Sequence, residues 1–193
     1  MFEPMLEAAV LSDFLQHGYV VLEDALTPAE LAMLQAQASC VTQRLAAAGR
    51  DLCDEQCVAE VLEHVPEGHA ARTAPDEYLR LRESELPSTD PALMRALLVR
   101  KLAAAASAAL ALGAESPTPC LFNEHFVLKP ARRGGAFAWH TDGAHQLEAL
   151  LALGDPAAAP EYVSIWCALD DITEANGIAA AAPTHSPGPG PQP

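Results

Sequence analysis

Two side chains able to share one metal ion stand two positions apart in the run Ala136-Phe137-Ala138-Trp139-His140-Thr141-Asp142-Gly143. An extended backbone sends residues i and i+2 to the same face. A strand over residues 136–140 would therefore set the His140 imidazole beside the Asp142 carboxylate. One nitrogen and one oxygen donor side by side make two of the three ligands in a 2-His-1-carboxylate set. That set holds Fe(II) and leaves the opposite positions open for a co-substrate and O₂. The third ligand is then expected to be a histidine well downstream. A His-x-Asp triplet alone is weak evidence, so the surrounding elements carry the argument.

Those elements come as helices first and strands afterwards. Residues 6–17 have helical spacing, with Val10 and Phe14 on one side and Gly18 as the stop. Residues 19–22 (YVVL) are β-prone. Thr27-Pro28-Ala29-Glu30 reads as a capping box, with proline at the first helical position, and predicts a helix that stops near Gly49. Residues 51–87 predict short helices in acidic loops. Asp90-Pro91 repeats the cap-then-proline signal and opens an alanine-rich helix to Leu112, ended by Gly113. Residues 120–128, 136–140 and 162–169 (YVSIWCAL) are strand candidates, the last being the clearest. Asn176-Gly177 is a strong turn dipeptide, and residues 177–182 are a further strand candidate. The final stretch, PTHSPGPGPQP, has five prolines and is expected to be disordered. This order predicts an α+β domain.

Composition excludes several function classes. The 193 residues fit one domain with a real core, and half of them are hydrophobic. A formal net charge of -15 argues against a nucleic-acid-binding face and against an anionic membrane surface. The longest low-polarity run, residues 102–112, is too short for a bilayer, which needs about 20 residues. No signal peptide is visible, so the default expectation is a cytoplasmic chain. The partner expected is a small-molecule substrate, and the sequence leaves the oligomeric state open. All 11 lysines and arginines lie at or before Arg133.

The other candidates read as structural. The five cysteines (Cys40, Cys53, Cys57, Cys120, Cys167) have no framework spacing. Cys53 and Cys57 are expected on one helix face as ordinary residues, because no second pair follows to complete a metal site. Asp170 and Asp171 read as solvated turn residues. His125 reads as a strand-face histidine, and His145 as a residue near the site but not a ligand. There is no P-loop, dinucleotide fingerprint or nucleophile elbow.

In order along the chain, FLQHGYVVLEDALTPAEL, FNEHFVLKP, FAWHTDGAH, VSIWCALDDITEANG and PTHS resemble the phytanoyl-CoA dioxygenase family from about Phe14 to His185. The resemblance implies Fe(II)- and 2-oxoglutarate-dependent oxygenation of a small, including lipid-like, molecule. It implies N-terminal helices packed on a double-stranded β-helix (jelly-roll, cupin-like) core. His140 and Asp142 match the first two iron ligands. Trp166 matches a tryptophan lining the 2-oxoglutarate pocket, and Asn176-Gly177 matches the turn before the next core strand. His185 falls in a segment similar to the family's P-G-S/T-H stretch, which is not a ligand there.

The family's third ligand and its 2-oxoglutarate-binding arginine come tens of residues later. The expectation is therefore a partial β-helix core: a domain over residues 1–186, incomplete at its C-terminus, then a Pro/Gly tail over residues 187–193. Two substitutes are on offer within the chain. His185 is a surrogate third ligand. The co-substrate's far carboxylate needs a buried cation, and Lys129, with Arg132 and Arg133 nearby, is the upstream source. The alternative reading is a truncated, catalytically inactive member or a module that only binds a small molecule.

Overall fold

The computed structural model describes residues 8–53, 57–62, 74–86, 90–110, 121, 124–130 and 162–173. In chain order these hold α1 (Ala8–His17), α2 (Pro28–Ala47), β1 (Val58–Glu60), α3 (Pro75–Glu85), α4 (Pro91–Arg95), a π-helical stretch (Ala96–Leu102), α5 (Ala103–Leu110) and β2 (His125–Val127). The described fold is helices plus a small two-stranded antiparallel sheet, with β1 between α2 and α3 rather than after the helices as expected.

Local chemistry sets the helix ends. Gly18 (φ +76°) takes the left-handed position after α1, and its N–H bonds the Phe14 carbonyl at 2.7 Å. At the start of α2, the Glu30 N–H donates to Thr27 Oγ1 at 3.2 Å while the Thr27 N–H donates to Glu30 Oε2 at 2.7 Å, a complete capping box. At its end the Arg50 N–H reaches Leu45 O (2.9 Å) and the Gly49 N–H reaches Ala46 O (3.0 Å). These two bonds are a Schellman closure around Gly49 at φ +71°. Asp90 caps α4 by accepting from the Leu93 N–H at 2.9 Å.

α2 is the axis of the described core. Leu34, Ala38, Val41 and Leu45 repeat at helical spacing and are buried. The C-terminal part of that stripe packs with Ala59, Val61, Leu86 and Phe126, so it covers the sheet. Met33 and Leu34 pack with Met94 and Leu97, so the N-terminal part meets α4 and the π-helical stretch. Leu169 touches both clusters. α1 lies against α5.

The sheet pairs Val58 with Val127, Ala59 with Phe126 and Glu60 with His125. Its ladder runs one bond further each way, Val61 N–H to Glu124 O (3.1 Å) and Leu128 N–H to Cys57 O (2.8 Å).

Several expectations are corrected. Residues 19–22 form no strand. Cys53 and Cys57 do not share a helix: Cys53 sits in a turn, and Cys57 is buried at φ +61° where β1 begins. Among the described residues of 51–87 there are a strand, β1, that the pattern did not predict, and one helix of 11 residues. Among the described residues of 120–128, the expected strand covers His125–Val127. The run over residues 162–169 forms no strand among the described residues. It packs instead by side chain on the helical layer, and Gln35 Nε2 donates to the Leu169 carbonyl at 2.6 Å. The strands expected over residues 136–140 and 177–182, Gly113, the turn Asn176-Gly177 and the tail lie outside the described residues.

Replacing Thr27 with Ala removes the Oγ1 bonds of the capping box, from the Glu30 N–H and to Glu30 Oε2, and leaves the backbone N–H bond to Glu30 Oε2. The expected loss is about 1 kcal/mol, seen in urea or thermal unfolding as a melting point lower by roughly 2–4 °C for a chain of this size.

Candidate functional site

The centre of the described structure is a buried polar cluster. Arg82 projects from α3 and is 1% exposed. Its guanidinium forks onto the Glu124 carboxylate, with Nε to Oε2 at 2.9 Å and Nη2 to Oε1 at 2.6 Å. Nη2 also donates to Gln37 Oε1 on α2 at 2.9 Å. Tyr78, one helical turn before Arg82, donates its hydroxyl to Glu124 Oε2. Planar bidentate pairing of this kind fixes orientation as well as charge. Burial works against the Arg82 charge, but the hydrogen bonds and charge of Glu124 outweigh it and the net shift is upward. Burial, with the Glu124 charge behind it, raises the Tyr78 phenol far above its ordinary range and keeps it a donor.

Two buried donors, Arg82 Nη1 and Gln37 Nε2, have no hydrogen-bond partner among the described residues. Each such orphan costs roughly 1–3 kcal/mol. The cluster therefore contributes more to position than to stability: it ties α2 and α3 to the residue that leads into β2.

A second ion pair lies at the other end of α2. Lys101, in the π-helical stretch, donates to Glu30 Oε2 at 2.7 Å, the same oxygen that closes the capping box. Burial alone would raise the Glu30 pKa, but hydrogen bonds from Lys101 and Thr27, and the Lys101 charge, bring it below its ordinary value. Cys167, half-buried against the same cluster, has its thiol pKa raised by burial, which the Lys101 charge partly opposes.

β2 presents two different faces. Phe126 is buried and Leu128 packs beside it, both against the core. His125 and Lys129 are exposed on the alternate positions. In the run over residues 162–169, Cys167 and Leu169 pack inward while Trp166 is half exposed. The His125 and Trp166 rings meet edge to face, with centroids 6.3 Å apart and planes at 85°.

Of the residues singled out by sequence, His140, Asp142 and His185, with His145, Arg132 and Arg133, lie outside the described residues. Lys129 and Trp166 are described, both at the surface. Asp170 and Asp171 are exposed, in and after a bend. Cys40, Cys53, Cys57 and Cys167 form no disulfide among the described residues. Among the described residues no group of three or more His, Cys, Asp or Glu side chains could hold a metal ion. No helix among them is long and apolar enough to cross a membrane. An imidazole and a carboxylate, as at His140 and Asp142, are donors that suit Fe(II), so the chemistry of the donor set fits that ion.

Sequence reasoning missed Arg82, Glu124, Tyr78, Gln37 and the Glu30–Lys101 pair. One signal was present: Gln37 and Arg82 both fall within otherwise orderly helical stretches, and a polar residue on the apolar stripe of α2 calls for a partner.

Compared with known proteins, residues 14–184 match the family model described as phytanoyl-CoA dioxygenase. No curated protein and no solved structure matches the chain.

Two stability measurements check the clusters. Arg82→Met leaves Glu124 buried without its counter-charge and is expected to cost about 3–5 kcal/mol; removing both charges with Arg82→Met and Glu124→Leu is expected to recover part of that in urea unfolding. Because the folded pKa of Glu30 is depressed, its contribution is present above the ordinary carboxylate pKa and is lost as pH falls through the folded value. The stability gap between the native chain and Lys101→Met is therefore expected to be widest near neutral pH and to close below about pH 4.

Proposed function

The chain belongs to the phytanoyl-CoA dioxygenase family, and from that membership we propose that it is an Fe(II)- and 2-oxoglutarate-dependent oxygenase acting on a small molecule. The family match over residues 14–184 carries this reading. The same membership implies a cupin or jelly-roll core, and we propose that β1 and β2 belong to it, with α1 to α5 as the helical layer packed against it.

His140 and Asp142 would hold the iron, and His185 is proposed as a further ligand. When bound, iron with 2-oxoglutarate supplies coupled oxidation: a substrate C–H bond becomes C–OH while the co-substrate and O₂ yield succinate and CO₂. The chain's own part is placement. Trp166 would wall the co-substrate and keep water from it. Lys129, exposed just beyond β2, would meet the far carboxylate. An ammonium pairs with a carboxylate as a point charge, less selectively than the fork of an arginine. The helical layer would hold these side chains in register through the Arg82–Glu124 fork and the Gln35 bond to Leu169.

The test is succinate formation from 2-oxoglutarate in the presence of Fe(II) and O₂. The native chain is expected to form succinate, and His140→Ala and Asp142→Ala are each expected to reduce it at least a hundredfold, in keeping with the loss of a metal ligand. Binding of 2-oxoglutarate with no succinate in any variant would point to a binding module; succinate formation unchanged in both variants would reject these ligands.

A further inference from the structure

We infer that Cys53 and Cys57 form a thiol–disulfide switch at the turn that leads into β1; this goes beyond the oxygenase reading and does not depend on it. The backbone doubles back between the two cysteines, because the Cys57 N–H donates to the Leu52 carbonyl at 2.7 Å. That oxygen belongs to the peptide unit joining Leu52 to Cys53. Planar trans peptide geometry then keeps the Cα atoms of Cys53 and Cys57 within about 6.5 Å of each other. Disulfides span Cα separations of about 4.4–6.8 Å, so the two residues stand within bridging range. Both ends of the turn are held. The Cys53 N–H donates to Asp51 Oδ1 at 2.9 Å. The Cys57 carbonyl accepts from the Leu128 N–H at 2.8 Å, and β1 begins at the next residue. Cys57 has φ +61°. A residue with a side chain keeps that left-handed backbone only where its surroundings enforce it.

The two residues differ in access. Cys53 is part-exposed and Cys57 is buried, at 4% exposure. One sulfur is thus open to a small oxidant while the other is sheltered beside it, the division of labour between a reacting and a resolving thiol. A small disulfide such as oxidised glutathione is the oxidant that suits this pair. The Cys53 thiolate attacks one glutathione sulfur, and the first glutathione leaves as a thiolate. The Cys57 thiolate then attacks the Cys53 sulfur, and the second glutathione leaves. One S–S bond is broken in the oxidant and one is formed in the protein. The two protein thiols give up two electrons and two protons, and the two departing thiolates take up both protons. The ring so closed is short, running only from Cys53 to Cys57, and one of its sulfurs is part-exposed. Strained or exposed disulfides are the labile ones, so excess thiol reopens this one. Because Cys57 carries both the turn bond and the last bond to β2, the cross-link pins the start of β1 and the near end of the sheet.

Trypsin cuts after Arg50 and Arg72, and the peptide between them contains Cys53 and Cys57 and no other cysteine. The full chain, folded, is equilibrated at graded ratios of oxidised to reduced glutathione, quenched in acid, alkylated, digested and weighed by mass spectrometry. The peptide over residues 51–72 is expected to become lighter by two hydrogen atoms and to take up no alkylating agent. After dithiothreitol it is expected to take up two. In urea, where the Leu52–Cys57 hydrogen bond is lost, a roughly tenfold higher oxidising ratio at the same total glutathione is expected for the same yield. Cys53→Ser is expected to abolish the cross-link and leave Cys57 reduced. Circular dichroism melts show which variants fold; Cys53→Ser, at the more exposed position, carries the comparison if Cys57→Ser does not. The proposal is overturned if the folded chain keeps two alkylatable thiols in this peptide across the whole range. It is equally overturned if Cys53 retains a glutathione without closing the ring, or if folded and unfolded chains close it at the same ratio.

Discussion

The described structure depends on one buried guanidinium. Arg82 reaches from α3 between α2 and the residue that opens β2, and it has no exposure to trade for hydration. Its fork onto Glu124 is the link by which a polar, weakly apolar helix becomes part of the core. Without it, α3 would offer the core little beyond Leu79 and the residue after its end, Leu86. The fork also fixes β2, because the backbone of Glu124 is itself bonded to Val61. Side chain and main chain of one residue thus tie helix layer and sheet together.

α2 distributes that constraint along its length. It buries an apolar stripe interrupted by two polar residues, Glu30 and Gln37, and each interruption is met by a cation from a later helix. A long-chain lysine and an arginine are suited to this, since their stems lie along apolar surface while the charged ends reach a partner. The π-helical stretch contributes Lys101 to this scheme, consistent with the use of such wider turns to redirect a side chain. Buried ion pairs of this kind are a weak source of stability and a strong source of registry. Registry is what an oxygenase needs of a scaffold whose task is to hold two or three donors and a flat co-substrate at fixed distances.

Much of the helical layer was legible in the sequence because helix ends are local events. Thr27 with Glu30, Asp90 with Pro91, and the glycines at 18 and 49 each declare a boundary within four or five residues, and the structure uses all of them. The sheet was harder to read. β1 is a three-residue strand whose partner lies far along the chain, and its sequence, VAE, has no alternation long enough to signal it. The Arg82–Glu124 pair spans 42 positions, and no local spacing announces a contact at that separation. The apolar run over residues 162–169 was expected as the clearest strand and forms none among the described residues, because β-branched and aromatic content cannot say whether a ladder will form. The candidate metal residues His140, Asp142 and His185 lie outside the described residues, and the expected co-substrate residues Lys129 and Trp166 stand at the surface.

The proposed oxygenase function requires that His140 and Asp142 hold one divalent ion. Electron paramagnetic resonance of Mn(II), an oxygen-stable surrogate for Fe(II), counts that ion directly and needs no knowledge of the substrate. The account predicts one tightly held Mn(II) per native chain, with a spectrum that changes when 2-oxoglutarate is added, and loss of the tight site in His140→Ala. Equal Mn(II) binding by the native chain and His140→Ala, with no response of either to 2-oxoglutarate, would contradict it.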